Sequence, residues 1–257
     1  MQKAYVDTRA GQVHVRCWGD PAAPLIVLLH WTPLSGRMFA PLAAHLAGRF
    51  HVLAPDLPGY GRSDARGAPW TMADWADAVA DVMPRPGLVL GGHLSAAVAA
   101  TLAARRAELV RGAILDGVPF LTPELRAALA AMPARPAADG DVHTLVHDRA
   151  AALLREYGLA VTPERLWPVM IDYLETDFVS SAPVLAGFDG AAALAAIGCP
   201  LLLLGARGDS LAASLETARA LRPEARWHVF DGPCPVHLDE GVADYAAQII
   251  AFAGEIG

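Results

Sequence analysis

Several stretches of the chain carry residue types that could do chemistry. In "LVLGGHLSAAVAA", residues 88–100, an apolar run enters two glycines and then a small-residue helix. A sharp strand-to-helix turn of this kind can mount a nucleophile, provided small residues stand two places on either side of the reactive group. Gly92 and Ala96 meet that condition around Leu94. With Ser95 at the tip, His93 would have to fill the crowded position. The spacing therefore puts Leu94 at the tip, and leucine cannot attack anything.

In "DGPCPVHLDE", residues 231–240, Cys234 could serve as a thiolate if a helix end or a nearby histidine lowers its pKa. A small buried hydrophobe is the plainer role. His143 and His147 share a helix face at i, i+4, as zinc ligands can. No glutamate lies between them in the HExxH sense and no third ligand accompanies them, so they read as a solvated face, and neither metal nor other cofactor is expected. Asp116, ending "GAILDG", is either a cleft carboxylate or a turn residue. Trp31, Trp167, Tyr173 and Phe178 could line an aromatic pocket or simply pack.

These groups must be held by a sizeable scaffold. The chain has 257 residues, 54% of them hydrophobic, enough for one large core. A net charge of −7 argues against nucleic acid or an anionic membrane surface as partner. Cys17, Cys199 and Cys234 are too few and scattered for a disulfide framework, which suits a reduced cytoplasm. The first twenty residues hold no apolar signal core, and no apolar run approaches the ~20 residues of a membrane span. Lys3 is the only lysine and alanine is abundant, the coding bias of a GC-rich bacterium.

The elements alternate. "QVHVRCWG" reads as a strand, and "LIVLLH" as a strand buried on both faces. "APLAAHLAGRF", "HVLAPDLPG", "WTMADWADAVADVM" with Thr71 as N-cap, "GLVLGG", the helix from Ser95, "GAILDG", "PLLLLGARGD", "RWHVFDG" and "VADYAAQIIAFAGEI" follow. Strands alternating with helices predict a mostly parallel sheet covered on both faces. One block breaks the alternation: residues 119–188 offer only helices, with Pro123 and Pro163 at first-turn positions and Gly158 as a C-terminal cap. This predicts a core of 1–118 and 189–257, and a helical lid, 119–188, over the carboxyl ends of the strands where ligands bind in such sheets.

Four anchors in order, "LLHWTPLSGRMFAPLAAHLAGRFHVLAPDLPGYGRSD", "LVLGGHLSAA", "PLLLLGARGD" and "DGPCPVHLDEGVADYAAQIIAF", make the chain resemble the α/β-hydrolase superfamily, in its lidded esterase, epoxide hydrolase and lyase branch. The resemblance covers nearly the whole chain. It implies that Asp209 stands at the place of the triad carboxylate, that Cys234 stands at the base position, and that His237 stands at a second, usually structural, histidine. Where the family has His-Gly after the first buried strand, this chain has His30-Trp31, so a tryptophan fills the cavity or reshapes the turn. The N–H groups of Thr32 and Ser95 are the candidate oxyanion donors. His30 and His93 are structural in the family, as are Tyr60 and Arg62.

Three functions compete. The main expectation is a non-hydrolytic enzyme with a degenerate triad, a cyclase, lyase, isomerase or decarboxylase that orients a reactive, largely apolar small molecule such as a polyketide-like intermediate of secondary metabolism, with Asp209 or His237 moving a proton. The alternative is a hydrolase of esters, lactones or epoxides built from Ser95, His237 and Asp209. The third is a non-catalytic binding module whose cleft is plugged by Trp31. A homodimer is compatible with all three.

Overall fold

The computed structural model describes residues 1–65, 70–131, 142–176, 181–232 and 241–256. Eight strands form one sheet: β1 (Gln2–Thr8), β2 (Gly11–Trp18), β3 (Leu25–Leu29), β4 (His51–Pro55), β5 (Gly87–Gly92), β6 (Val110–Asp116), β7 (Leu201–Ala206) and β8 (Arg226–Phe230). Their order across the sheet is β1-β2-β4-β3-β5-β6-β7-β8. β2 runs antiparallel to both β1 and β4, and every pair from β4 to β8 is parallel. Every residue of β3, β5 and β7 is buried, which is why these strands read as unbroken apolar runs. β1 escapes the sequence reading because its residues are mostly exposed and carry no clear two-residue alternation.

The helices cover both faces. On one side α2 (Met72–Val82), α3 (Leu94–Arg105), α8 (Gly190–Ala196) and α9 (Ala212–Leu221) enclose a core of Trp75, Val79, Val98, Leu102, Leu194 and Leu215. On the other, α1 (Ala40–Leu46) and α10 (Val242–Glu255) bury Leu42, Leu46, Tyr245, Ile249 and Phe252. Thr71 caps α2 as predicted, in a reciprocal box. Its hydroxyl accepts from the Asp74 N–H at 3.3 Å, and the Asp74 carboxylate accepts the Thr71 N–H at 2.7 Å.

Between β6 and β7 the described residues form only helices and loops: α4 (Pro123–Ala130), α5 (Val142–Glu156), α6 (Pro163–Leu174) and α7 (Ser181–Ala186), then α8. α5 closes on Gly158 at φ 66, the left-handed cap that the sequence places there. Its Leu153 and Leu154, with Tyr157, join the α1/α10 core, beside Trp31. α6 packs Leu166, Val169 and Tyr173 against the same core and adds hydrogen bonds. Asp172, 3% exposed, accepts the Ser35 N–H at 3.2 Å and the Ser35 hydroxyl at 2.9 Å. The Thr176 hydroxyl donates to the Pro33 carbonyl at 3.0 Å. Burial pushes the Asp172 carboxyl up to about 6, with Arg37 and Ser35 opposing. No described helix is long and apolar enough to cross a membrane.

The loop after β4 is held by Asp56. Its carboxylate accepts from His14 at 2.9 Å, Arg16 at 2.5 Å, and the N–H groups of Gly36 and Arg62 at 2.8 and 3.1 Å. Burial alone would raise this carboxyl; His14, Arg16 and the backbone donors outweigh it and hold the value at about 2. Gly61 sits at φ 52 with its α-carbon so close that a β-carbon would fall 2.5 Å from the Asp56 carboxylate. The glycine of "PGYGRSD" is therefore there to let the backbone reach the charge.

Candidate active site

The carboxyl end of β5 decides the register of the bend. The residue at its tip is His93, with φ 53 and ψ −119, and it is the one described non-glycine residue with positive φ. α3 starts at the next residue. Such angles are strained for a side-chain-bearing residue and persist only where the surroundings enforce them. The surroundings do so here. The His93 N–H is held by the Asp116 carbonyl at 2.9 Å, and Gly92 pairs with Asp116 across the sheet.

This corrects the sequence register by one residue. Leu94 is the first residue of α3, 5% exposed and part of the apolar core. Ser95 is fully buried, and its hydroxyl donates to the His30 carbonyl. A serine so placed has no access to a substrate. The small pair flanking the tip is Gly91 and Ser95: a β-carbon on Gly91 would lie 2.0 Å from the Ser95 carbonyl oxygen. That signal was present in the sequence, because "GGHLS" fits the small-x-tip-x-small pattern as well as "GHLSA" does. Two fitting registers left the spacing argument undecided.

His93 and Asp209 meet at the carboxyl ends of β5 and β7. His93 Nε2 lies 3.1 Å from both carboxylate oxygens of Asp209. Asp209 follows β7 and also accepts the Leu211 N–H at 2.8 Å. Its side chain is 1% exposed, whereas that of His93 is 25% exposed, so the imidazole is the accessible member. Burial pulls the His93 pKa down, but the hydrogen bond and charge of Asp209, aided by Asp116 and Glu156, hold it above the ordinary imidazole value. Gly117, at φ 66, lets the chain pass beside the pair: a β-carbon there would stand 3.0 Å from His93 Cδ2 and 3.1 Å from Asp209 Oδ2.

Trp31 forms the wall. It is fully buried and stacks on the imidazole, with ring centroids 4.8 Å apart and planes 14° from parallel. Tyr157, just past α5, meets its edge at 6.2 Å. The indole fills the space over Gly92, where a β-carbon would be 1.3 Å from Trp31 Nε1. The Trp31 N–H points to Met38 Sδ at 3.3 Å. Thr32 follows, half-buried, its hydroxyl 3.4 Å from the Tyr60 hydroxyl. Beneath them His30 is fully buried, and burial lowers its pKa to about 4. Its Nε2 accepts the Leu57 N–H at 2.9 Å, so the proton of the neutral ring sits on Nδ1, 3.3 Å from the Trp31 carbonyl.

Asp116 is neither a solvent-facing cleft carboxylate nor a simple turn residue. It is 2% exposed and accepts the Tyr245 hydroxyl at 2.8 Å. Trp167 is 68% exposed on α6, so it lines no enclosed pocket. Tyr173 is partly buried against the α1/α10 core. Cys234, His237 and Phe178 lie outside the described residues, as does the side chain of His143. Next to the Ser35–Asp172 contact, a cavity of about 260 Å³ opens between α5, α6 and the loop after β3, lined mainly by Leu34, Met38, Leu154, Leu159 and Val169.

Sheet order, tip geometry and the acid after β7 accord with one comparison: the sequence pattern of the Alpha/beta hydrolase family matches residues 26–247. The chain belongs to that family. A pimeloyl-(acyl-carrier protein) methyl ester esterase of Aromatoleum aromaticum is 29% identical over 225 residues, 81% of this chain and 89% of that one. Among solved structures, the enol-lactonase of Burkholderia xenovorans LB400 superimposes with a TM-score of 0.82 at 21% identity, covering 98% of this chain and 100% of that one. A thermophilic esterase of Thermogutta terrifontis gives a TM-score of 0.78 at 19% identity, covering 100% and 99%. At such identities the structures speak for the fold. The expectation of a non-hydrolytic reaction finds no support among these relatives; the hydrolytic alternative does.

Proposed function

We propose that this protein is an enzyme that hydrolyses an activated ester or lactone by direct attack of water, with His93 as general base and Asp209 orienting it. The observation behind this reading is the imidazole at the strained tip of the bend, Nε2–H toward Asp209. That hydrogen bond puts the lone pair of the neutral ring on Nδ1. Water attacks the carbonyl carbon as its proton passes to Nδ1, and Asp209 stabilises the imidazolium. The negative carbonyl oxygen is met at the start of α3, where the first N–H groups lack intrahelical partners and the helix dipole is favourable. The register moves the expected donor from Ser95 to Leu94, with the Thr32 N–H as its partner. Collapse of the intermediate expels the alcohol or enol oxygen, which takes the proton back from His93. No acyl-enzyme forms. With water as nucleophile, a good leaving group such as an enolate or phenolate is favoured. The segment 119–188 would act as the cap, with its cavity taking an apolar part of the substrate.

The test is hydrolysis of p-nitrophenyl esters and enol lactones, with rapid quench and intact-mass analysis. Turnover lost in His93→Gln, kept in Ser95→Ala and free of acylated protein is expected. Turnover lost in Ser95→Ala or an acyl group trapped on a serine would overturn the reading. The rate should rise with pH along a limb placed above the ordinary imidazole value, because Asp209 favours the protonated ring. Trp31, filling the cleft beside His93, favours a second reading, a non-catalytic binding module. Absence of turnover on every substrate would favour it.

A further inference from the structure

The carboxyl of Asp116 has no role in the reaction as described, yet the fold places it at the centre. It ends β6, and its backbone carbonyl holds the N–H of His93. Its neighbour Gly117 lies against the hydrogen-bonded pair, where a β-carbon would stand 3.0 Å from His93 Cδ2 and 3.1 Å from Asp209 Oδ2. The side chain is buried and accepts a hydrogen bond from a neutral phenol, Tyr245, itself fully buried on α10 and stacked on Phe230 at 5.2 Å. A buried carboxylate needs a compensating cation or a proton. Among the described residues, the positive charge that acts on Asp116 is that of His93.

We propose that Asp116 is a positioning residue that sets the charge state of His93, the two acting as one titrating unit with Asp209. This rests on the His93 reading above. When His93 is protonated, two carboxylates and one imidazolium leave a single net negative charge in the buried cluster. When His93 is neutral the cluster would carry two, and in a low-dielectric site that favours a proton on Asp116. The imidazolium formed as water is deprotonated is thus met by two carboxylates, one hydrogen-bonded and one acting through space. Among the described residues, Glu156 on α5 adds to the negative field at His93, and the Tyr245 hydroxyl on α10 stabilises ionised Asp116. Burial works the other way and favours the Asp116 proton, its value lying at about 6.

The experiment is imidazole titration by NMR, with the His93 signal assigned by its loss in His93→Gln, on the full chain carrying Asp116→Asn or Tyr245→Phe. Asp116→Asn keeps the shape and the acceptor for Tyr245 while removing the charge. The His93 midpoint is expected to shift to lower pH, and the rising limb of any ester hydrolysis to shift with it. Tyr245→Phe should move the midpoint in the same direction by less, because Asp116 then keeps its proton more readily. It also serves if the asparagine variant fails to fold. A His93 midpoint unchanged in a folded variant overturns the inference. The readout is separate from turnover: a shifted midpoint in a protein that hydrolyses nothing supports the coupling and sinks the proposed reaction instead.

Discussion

Asp56 and Asp116 are both buried carboxyls at the carboxyl ends of strands, and they behave oppositely. Asp56 is surrounded by Arg16, His14 and backbone donors, and its pKa is driven down to about 2. Asp116 has a phenol and a nearby imidazole, and burial lifts it to about 6. The first cluster is closed: Asp56 stays ionised at any pH near neutrality, and it can only hold a loop in place. The second is under-compensated, and its protons are exchangeable in the range where enzymes work. Burial alone therefore does not separate structural from functional carboxyls; the number of cations within reach does.

Breaking the closed cluster should have the largest effect. Asp56→Asn leaves Arg16 buried without its counter-ion and should cost about 3–5 kcal/mol, read from urea unfolding. A loss well under that would mean that the network is not what secures the loop. At the open cluster, His93→Gln should lower turnover by about 10²–10⁴-fold, the usual contribution of a general base, with little change in thermal midpoint. Between energy and chemistry lies Gly92→Ala. The new methyl group must displace Trp31, and overpacking of this kind costs about 1–3 kcal/mol.

The two clusters also differ in the sign of their pH dependence. Asp56 has a depressed folded value, so its stabilisation is present above the unfolded carboxyl value of 3.8 and is lost as pH falls toward 2. Asp116 and Asp172 have raised values, so their contribution is full below 3.8 and is lost as pH rises through about 6. Urea midpoints measured from pH 3 to 8, in wild type and Asp116→Asn, should show the variant losing part of the decline above pH 4. The smallest effect is expected at Ser95→Ala: about 0.5–1.5 kcal/mol for the lost hydrogen bond to His30, and no change in activity.

Most of the scaffold was legible because its signals are local. β3, β5 and β7 are continuous apolar runs, Thr71 caps α2 and Gly158 ends α5, and each needs only its own few residues to be read. Asp209 was legible because it follows a strand at a familiar distance. The tip was not, because two registers both offered small flanking residues, and the tie is broken only by the contact of Gly91 with Ser95 and by the Asp116 carbonyl, 23 residues downstream, on the next strand. The importance of Tyr245 was invisible for the same reason: its partner lies 129 residues away. Trp31 was noticed as an anomaly, but nothing in sequence says that it stacks on His93.

The close seating of Trp31 on Gly92 couples the two positions. An indole seated this way at 31 is admissible only with no side chain at 92, so the two positions can change only together. Position 93 is tied to them as well: replacing His93 by serine alone would set a hydroxyl against an aromatic ring instead of an open chamber. Installing a serine-based catalyst in this chain would require clearing residue 31 and supplying an imidazole base in the same variant.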